Sequence, residues 1–276
     1  MAEVDIRCLT TGNDPEITIR IADNNAATGP VVFIILGWLS DIERFLPMAA
    51  SFARYGRVII YEPRGFGRSS APHRKDIYRA EAYNEEMAFV LKSLNVPDGD
   101  FLLCGFCTGA AMAVSYLLQG KGPKPSRLAL ISPQVRYRTP FWFPLFGSLP
   151  GFIMTGITNL IIFALDLYLR RKSPEETRNL RYVEEQFRRS DPWAQRQFLV
   201  QYVHRYDIEQ RLAEIEVPMI CFVGEQDWFA RRDMAVPFLH HPLARVETLP
   251  SGGHRIQVGN EERIARKIGE FISQDS

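Results

Sequence analysis

A cysteine with glycine two positions away on each side can do chemistry that an ordinary core thiol cannot. The stretch Phe101-Leu102-Leu103-Cys104-Gly105-Phe106-Cys107-Thr108-Gly109-Ala110-Ala111 runs from an apolar strand through Gly-x-Cys-x-Gly into a small-residue helix start. A chain turning this sharply from strand to helix is strained at its apex, and bulk two positions to either side would clash. Ala110 and Ala111 let the new helix lie close to the sheet. The Cys107 sulfur then sits at the positive end of a helix dipole, a place suited to a nucleophile. The backbone N–H of Thr108 points into the same site as an oxyanion donor. The bland alternative is a buried core thiol in a chance turn, and the remaining partners weigh against it.

Those partners lie far along the chain. The apolar run Met219–Val223 ends in Gly224-Glu225-Gln226-Asp227, which places a carboxylate at the carboxyl end of a strand. Glu225 or Asp233 could stand in for Asp227. Further on, Pro250-Ser251-Gly252-Gly253-His254 puts a histidine on a loop loosened by two glycines. His254 would take the Cys107 proton, and Asp227 would orient the ring and stabilise the imidazolium. The other histidines fit less well: His73 follows Ala71-Pro72, His204 lies in an insertion, and His240-His241 leave a helix. After the run Val31–Leu36, Gly37-Trp38 offers the Trp38 N–H as a second oxyanion donor. Phe106, Trp142, Phe146 and Trp228 are candidate walls of a substrate pocket.

The elements that must hold these residues follow from hydrophobic patterning. Short runs rich in Val, Ile and Phe alternate with helical stretches, as in a mostly parallel sheet covered on both faces. Val31–Leu36, Arg57–Tyr61, Phe101–Gly105, Arg127–Ile131 and Met219–Val223 are buried strands, and Ala244–Leu249 alternates like an edge strand. Val4–Leu9 and Glu16–Ile21 form an expected hairpin around Gly12-Asn13-Asp14. Helices are expected over roughly Phe45–Tyr55, Ile77–Leu94, Thr108–Gln119 and Glu261–Ser273. More than eighty residues separate Ser132 from Pro218, too many for a simple crossover. In that insertion Thr139–Leu169 is strongly apolar, with Asp166 its only charge, and Arg170–Glu214 is dense in charge and aromatics.

Composition bounds the rest. Lys and Arg number 33 against 32 Asp and Glu, so no global field favours nucleic acid. The four cysteines lack metal-ligand spacing, and neither a metal nor another cofactor is expected. The first eleven residues lack the apolar run of a signal peptide, and a free catalytic thiol suits a reducing cytoplasm.

Together these motifs resemble the α/β-hydrolase superfamily over nearly the full length. Gly-x-Cys-x-Gly is similar to its Gly-x-Ser-x-Gly nucleophile elbow, and the order nucleophile, acid, histidine is the order that fold uses. Glu62-Pro63-Arg64-Gly65-Phe66-Gly67-Arg68-Ser69 resembles the Asp-x-Arg-Gly-x-Gly-x-Ser stretch of many capped members, with Glu62 in the Asp position. The resemblance implies a mostly parallel eight-stranded sheet with helices on both faces, a core of residues 1–132 and 217–276, and an inserted helical cap of residues 133–216. Cysteine is a departure, since most members use serine; dienelactone hydrolases and polyhydroxyalkanoate synthases share it.

Sulfur shifts the expected chemistry. A thiolate exchanges one thioester for another at little cost, and its acyl-enzyme stays reactive towards water or another nucleophile. The expectation is therefore a thioesterase or acyltransferase acting on a hydrophobic acyl group carried by coenzyme A or an acyl carrier protein. A carboxylesterase or lactonase acting on a small oxygen ester is the second reading. A ligand receptor that keeps the triad without using it is the reading from another class. The apolar stretch of the cap would pack over the pocket, or would touch a membrane peripherally through Trp142 and Arg170-Arg171-Lys172.

Overall fold

The structure, a computed structural model, describes residues 4–12, 15–26, 28–119, 121–147, 149–169, 174–225, 227, 232–249 and 257–273. Its strands are β1 (Asp5–Thr10), β2 (Thr18–Asp23), β3 (Val31–Ile35), β4 (Arg57–Glu62), β5 (Phe101–Phe106), β6 (Arg127–Ile131), β7 (Met219–Gly224) and β8 (Ala244–Leu249). They form one sheet in the order β1-β2-β4-β3-β5-β6-β7-β8. The pairs β1–β2 and β2–β4 are antiparallel, and every other pair is parallel. This is the α/β-hydrolase fold.

The helices are α1 (Ile42–Phe52), α2 (Ala80–Ser93), α3 (Thr108–Gln119), α4 (Phe143–Phe146), α5 (Gly151–Leu169), α6 (Pro174–Arg189), α7 (Pro192–Gln197), α8 (Arg232–Leu239) and α9 (Glu261–Ser273). All five residues of β3 are buried, because helices cover the sheet on both faces. The period-two pleat divides them between two cores. Phe33 and Ile35 join Tyr83 and Met87 of α2 and Met112 of α3 on one face. Val32 and Ile34 join Phe45 and Phe52 of α1 and Ile264 and Ile268 of α9 on the other.

Side-chain caps and sheet pairing set several boundaries that hydrophobic pattern misplaces. Helix α1 starts three residues before the expected Phe45, because Asp41 accepts the Arg44 N–H at 3.0 Å and caps it. The expected Ile77–Leu94 helix is split. Asp76–Tyr78 is a 3₁₀ turn, and extended backbone at Arg79 separates it from α2. Strand β2 runs on to Asp23 because it also pairs with β4, from Arg20 opposite Glu62 to Asp23 opposite Ile59.

The Glu62–Ser69 turn shows why a carboxylate must open it. Glu62 is fully buried and accepts the N–H groups of Ile42 at 3.0 Å, Arg68 at 2.7 Å and Ser69 at 2.9 Å. Burial raises its carboxyl above the ordinary range, although the Arg68 and Ile42 N–H groups oppose the shift. Gly67, at φ +46°, leaves room for it, since a Cβ there would overlap the carboxylate. Arg64 meets buried Glu86 at 2.5 Å and anchors the same turn to α2.

Between β6 and β7 the chain is helical, from α4 through α7 and on into short turns. No described helix is long and apolar enough to cross a membrane.

Candidate active site

Strand β3 is flanked by β4 on one side and β5 on the other, so the loops leaving β3 and β5 part at one edge of the sheet. In open α/β sheets that edge is where ligands bind. The loop after β5 carries Cys107, half-buried and held at φ +52°. A left-handed backbone costs a non-glycine residue on the order of 1–3 kcal/mol. The neighbouring structure enforces it. The Cys107 N–H donates to Ile131 O of β6 at 2.8 Å, and α3 begins at the next residue. The two flanking glycines serve close approach. A Cβ at Gly105 would overlap the Gly109 carbonyl oxygen, and one at Gly109 would overlap that of Ile35. Gly37 is equally confined, since a Cβ there would lie 2.8 Å from Phe106 O and 3.5 Å from Cys107 Cβ.

The structure brings Trp38 and Thr108 together across seventy residues of sequence: the Trp38 N–H donates to Thr108 Oγ1 at 2.8 Å. The Thr108 N–H heads α3, where the first N–H groups of a helix have no intrahelical partner. Leu39, at φ +55°, completes a tightly bent loop.

Asp227 lies just beyond β7 and accepts a hydrogen bond from Ser132 Oγ at 3.0 Å. Ser132 sits at φ +54° at the end of β6, and its N–H donates to Phe222 O at 2.9 Å. It therefore spans the ends of β6 and β7. The other two carboxylates are placed differently. Glu225 is exposed, and Asp233 lies on α8, paired with Arg138 at 3.3 Å. His254 and Trp228 lie outside the described residues.

A family model described as serine aminopeptidase, S33, matches residues 27–261. The chain belongs to that family. Among solved structures it is similar to a bromoperoxidase from Bacillus anthracis, with TM-score 0.77, 17% identity, and coverage of 98% of this chain and 100% of that one. The enol-lactonase from Burkholderia xenovorans LB400 gives TM-score 0.76 at 18% identity, covering 96% of this chain and 100% of that one. The esterase from Exiguobacterium antarcticum gives 0.75 at 18% identity, covering 99% and 100%. No curated protein matches the chain in sequence. At these identities the solved structures speak for the fold, and the family match makes the chain a hydrolase-type member of it.

In this serine aminopeptidase family member the four described histidines lie on other elements, and three of them have side-chain partners of their own. His73 pairs with Asp191 at 3.0 Å and stacks on Trp193. His204 contacts Thr139, His241 accepts the Leu243 N–H, and His240 is exposed at the end of α8. Among the candidate walls, Phe106 is buried and packs edge-on against Phe45, with ring centroids 4.8 Å apart. Trp142 is half-exposed, and Phe146 ends α4. A cleft of about 650 Å³ lined by Thr11, Arg64, Arg74 and Arg79 lies elsewhere and includes none of the elbow residues.

Several residues that bear on the site carry no sequence signal. Gln195 of α7 accepts the Trp38 indole N–H and donates to Gly65 O at 2.6 Å. Gln186 of α6 donates to Asp41 at 2.7 Å, and Phe187 packs against the Trp38 ring. Helices α6 and α7 are thus fastened to the loop that follows β3. A π-helical turn, Phe198–Tyr202, follows α7 and stacks Phe198 on Tyr202 and Tyr202 on Tyr206, which meets Tyr137 at 5.7 Å. The Tyr137 hydroxyl is buried without a hydrogen-bond partner among the described residues. Burial pushes this phenol well above its usual range.

Proposed function

We propose that the protein hydrolyses a carboxyl ester or lactone through an acyl-enzyme on Cys107. The observation that carries this reading is the enforced left-handed backbone at Cys107, which lifts one side chain out of the strand-to-helix turn. In the first step the sulfur attacks the carbonyl carbon, and the carbonyl electron pair moves to oxygen. The N–H groups of Thr108 and Trp38 are the candidate donors to that oxyanion. His254 takes the thiol proton and passes it to the leaving alkoxide as the C–O bond breaks. Water, deprotonated by His254, then attacks the acyl-thioester; the carboxylic acid departs and the sulfur regains its proton. Asp227, itself fixed by Ser132, orients the histidine. The Trp38 N–H rests on Thr108 Oγ1, so its use by substrate requires that hydroxyl to turn away.

Oxygen esters and lactones come first because the similar structures include an esterase and an enol-lactonase. Cysteine at the elbow, in a family described by a serine, supports a second reading in which the acyl donor is a thioester on coenzyme A or a carrier protein. Incubation with short aryl esters, lactones and acyl-coenzyme A, each followed by intact-mass measurement, tests both. Acyl mass should appear on the protein and vanish in Cys107→Ala, and the donor with the highest kcat/KM decides between the readings. Tight ligand binding without any adduct would instead mark a receptor.

A further inference from the structure

Helix α5 has the composition of a core element and the exposure of a surface one. Phe152 is 77% exposed, Leu160 66% and Phe163 64%, and Ile153, Ile161, Leu167 and Tyr168 are exposed as well. At 3.6 residues per turn these seven side chains sweep about 180° of the helix circumference. The opposite side, at Ile162, packs inward, where α5 meets α6 and α7. Just before the helix, Phe141 is 94% exposed and Leu145 71%, and Trp142 is half-exposed. A monomer in water does not ordinarily present so broad an apolar face.

We infer that α5 and the segment before it form a docking face for an anionic phospholipid surface, with the helix lying in the plane of the interface. Width argues against a second copy of the chain. One partner helix covers a stripe of about 100° and leaves the remainder wet, whereas a bilayer surface covers the whole half-cylinder. Charge argues the same way. The exposed arc carries no ionised side chain, since Asp166, the only charge on α5, is half-buried off to one side. Arg170, Arg171 and Lys172 follow the helix directly in sequence, a cationic run complementary to anionic headgroups. Trp142 and Tyr168, both half-exposed, have the amphipathic rings favoured at the boundary between apolar and aqueous layers. The inference stands independently of the bond that the active site cleaves.

The test is co-sedimentation of the full-length protein with vesicles of phosphatidylcholine, with and without phosphatidylglycerol. The wild-type chain should sediment with the mixed vesicles, less with phosphatidylcholine alone, and less at high salt. L160E combined with F163E should weaken binding at least tenfold while leaving the far-ultraviolet circular dichroism and thermal midpoint unchanged. R170Q/R171Q/K172Q should remove the phosphatidylglycerol preference while retaining residual binding. Equal binding by the L160E/F163E chain, or no binding by wild type to either vesicle, overturns the inference. So does light scattering that shows a dimer which L160E/F163E dissolves, in the absence of vesicle binding; the face would then belong to a second copy.

Discussion

Cys107 pays for its position with backbone strain, and that strain can be measured separately from chemistry. Cys107→Gly relieves the left-handed conformation, so it should raise the unfolding free energy by up to about 1 kcal/mol while abolishing acyl-enzyme formation. Urea unfolding and intact mass read the two effects. Ser132→Ala removes a hydrogen bond to a carboxylate, an interaction worth about 1.5–3 kcal/mol, and leaves the fold intact. It should lower kcat/KM about tenfold or more, with most of the loss in kcat, as expected for a positioning residue. At this scale the tight turn at Cys107 and the glycines around it were legible, because a sharp strand-to-helix turn demands small residues at fixed offsets. Ser132 and Tyr137 were not, because their roles arise from contacts between strand ends, and no local pattern records those.

The elements were legible where apolar residues recur with the period of a strand or a helix. Strands β6 and β8 and helices α3 and α9 fall where the pattern of apolar residues puts them. They failed to be legible where a polar side chain or a distant strand sets the limit, as Asp41 does for α1 and β4 does for β2. How α6 and α7 dock was wholly hidden, since the contact between Trp38 and Gln195 joins residues 157 positions apart. Gln195→Leu tests that joint. It leaves the Trp38 indole N–H and the Gly65 carbonyl without partners, at a cost of about 1–3 kcal/mol for each group left buried. A lower urea midpoint and a raised KM are expected; an unchanged KM would show that α7 does not steady the loop after β3.

For the molecule as a whole, two apolar cores on either face of one sheet account for the fold, and both were foreseeable from strands apolar on both faces. Glu62 was foreseeable only as part of a motif. The structure gives its reason: one buried carboxylate collects three backbone N–H groups from the turn after β4 and the start of α1. Glu62→Ala should therefore cost at least about 3 kcal/mol, read as a fall in the urea midpoint, with the lost stability shared by the whole sheet edge.

Trp38 touches two distant helices at once. Its main chain reaches Thr108 at the start of α3, and its indole reaches Gln195 in α7. An indole that loses a hydrogen bond and gains water emits at longer wavelength, so this residue works as a built-in optical gauge of the joint between α7 and the loop after β3. Any excursion of α7 should be visible in the light the protein gives off. In a chain whose other three tryptophans are replaced by phenylalanine, a red shift on opening and its reversal on ligand binding would time that motion without an added label.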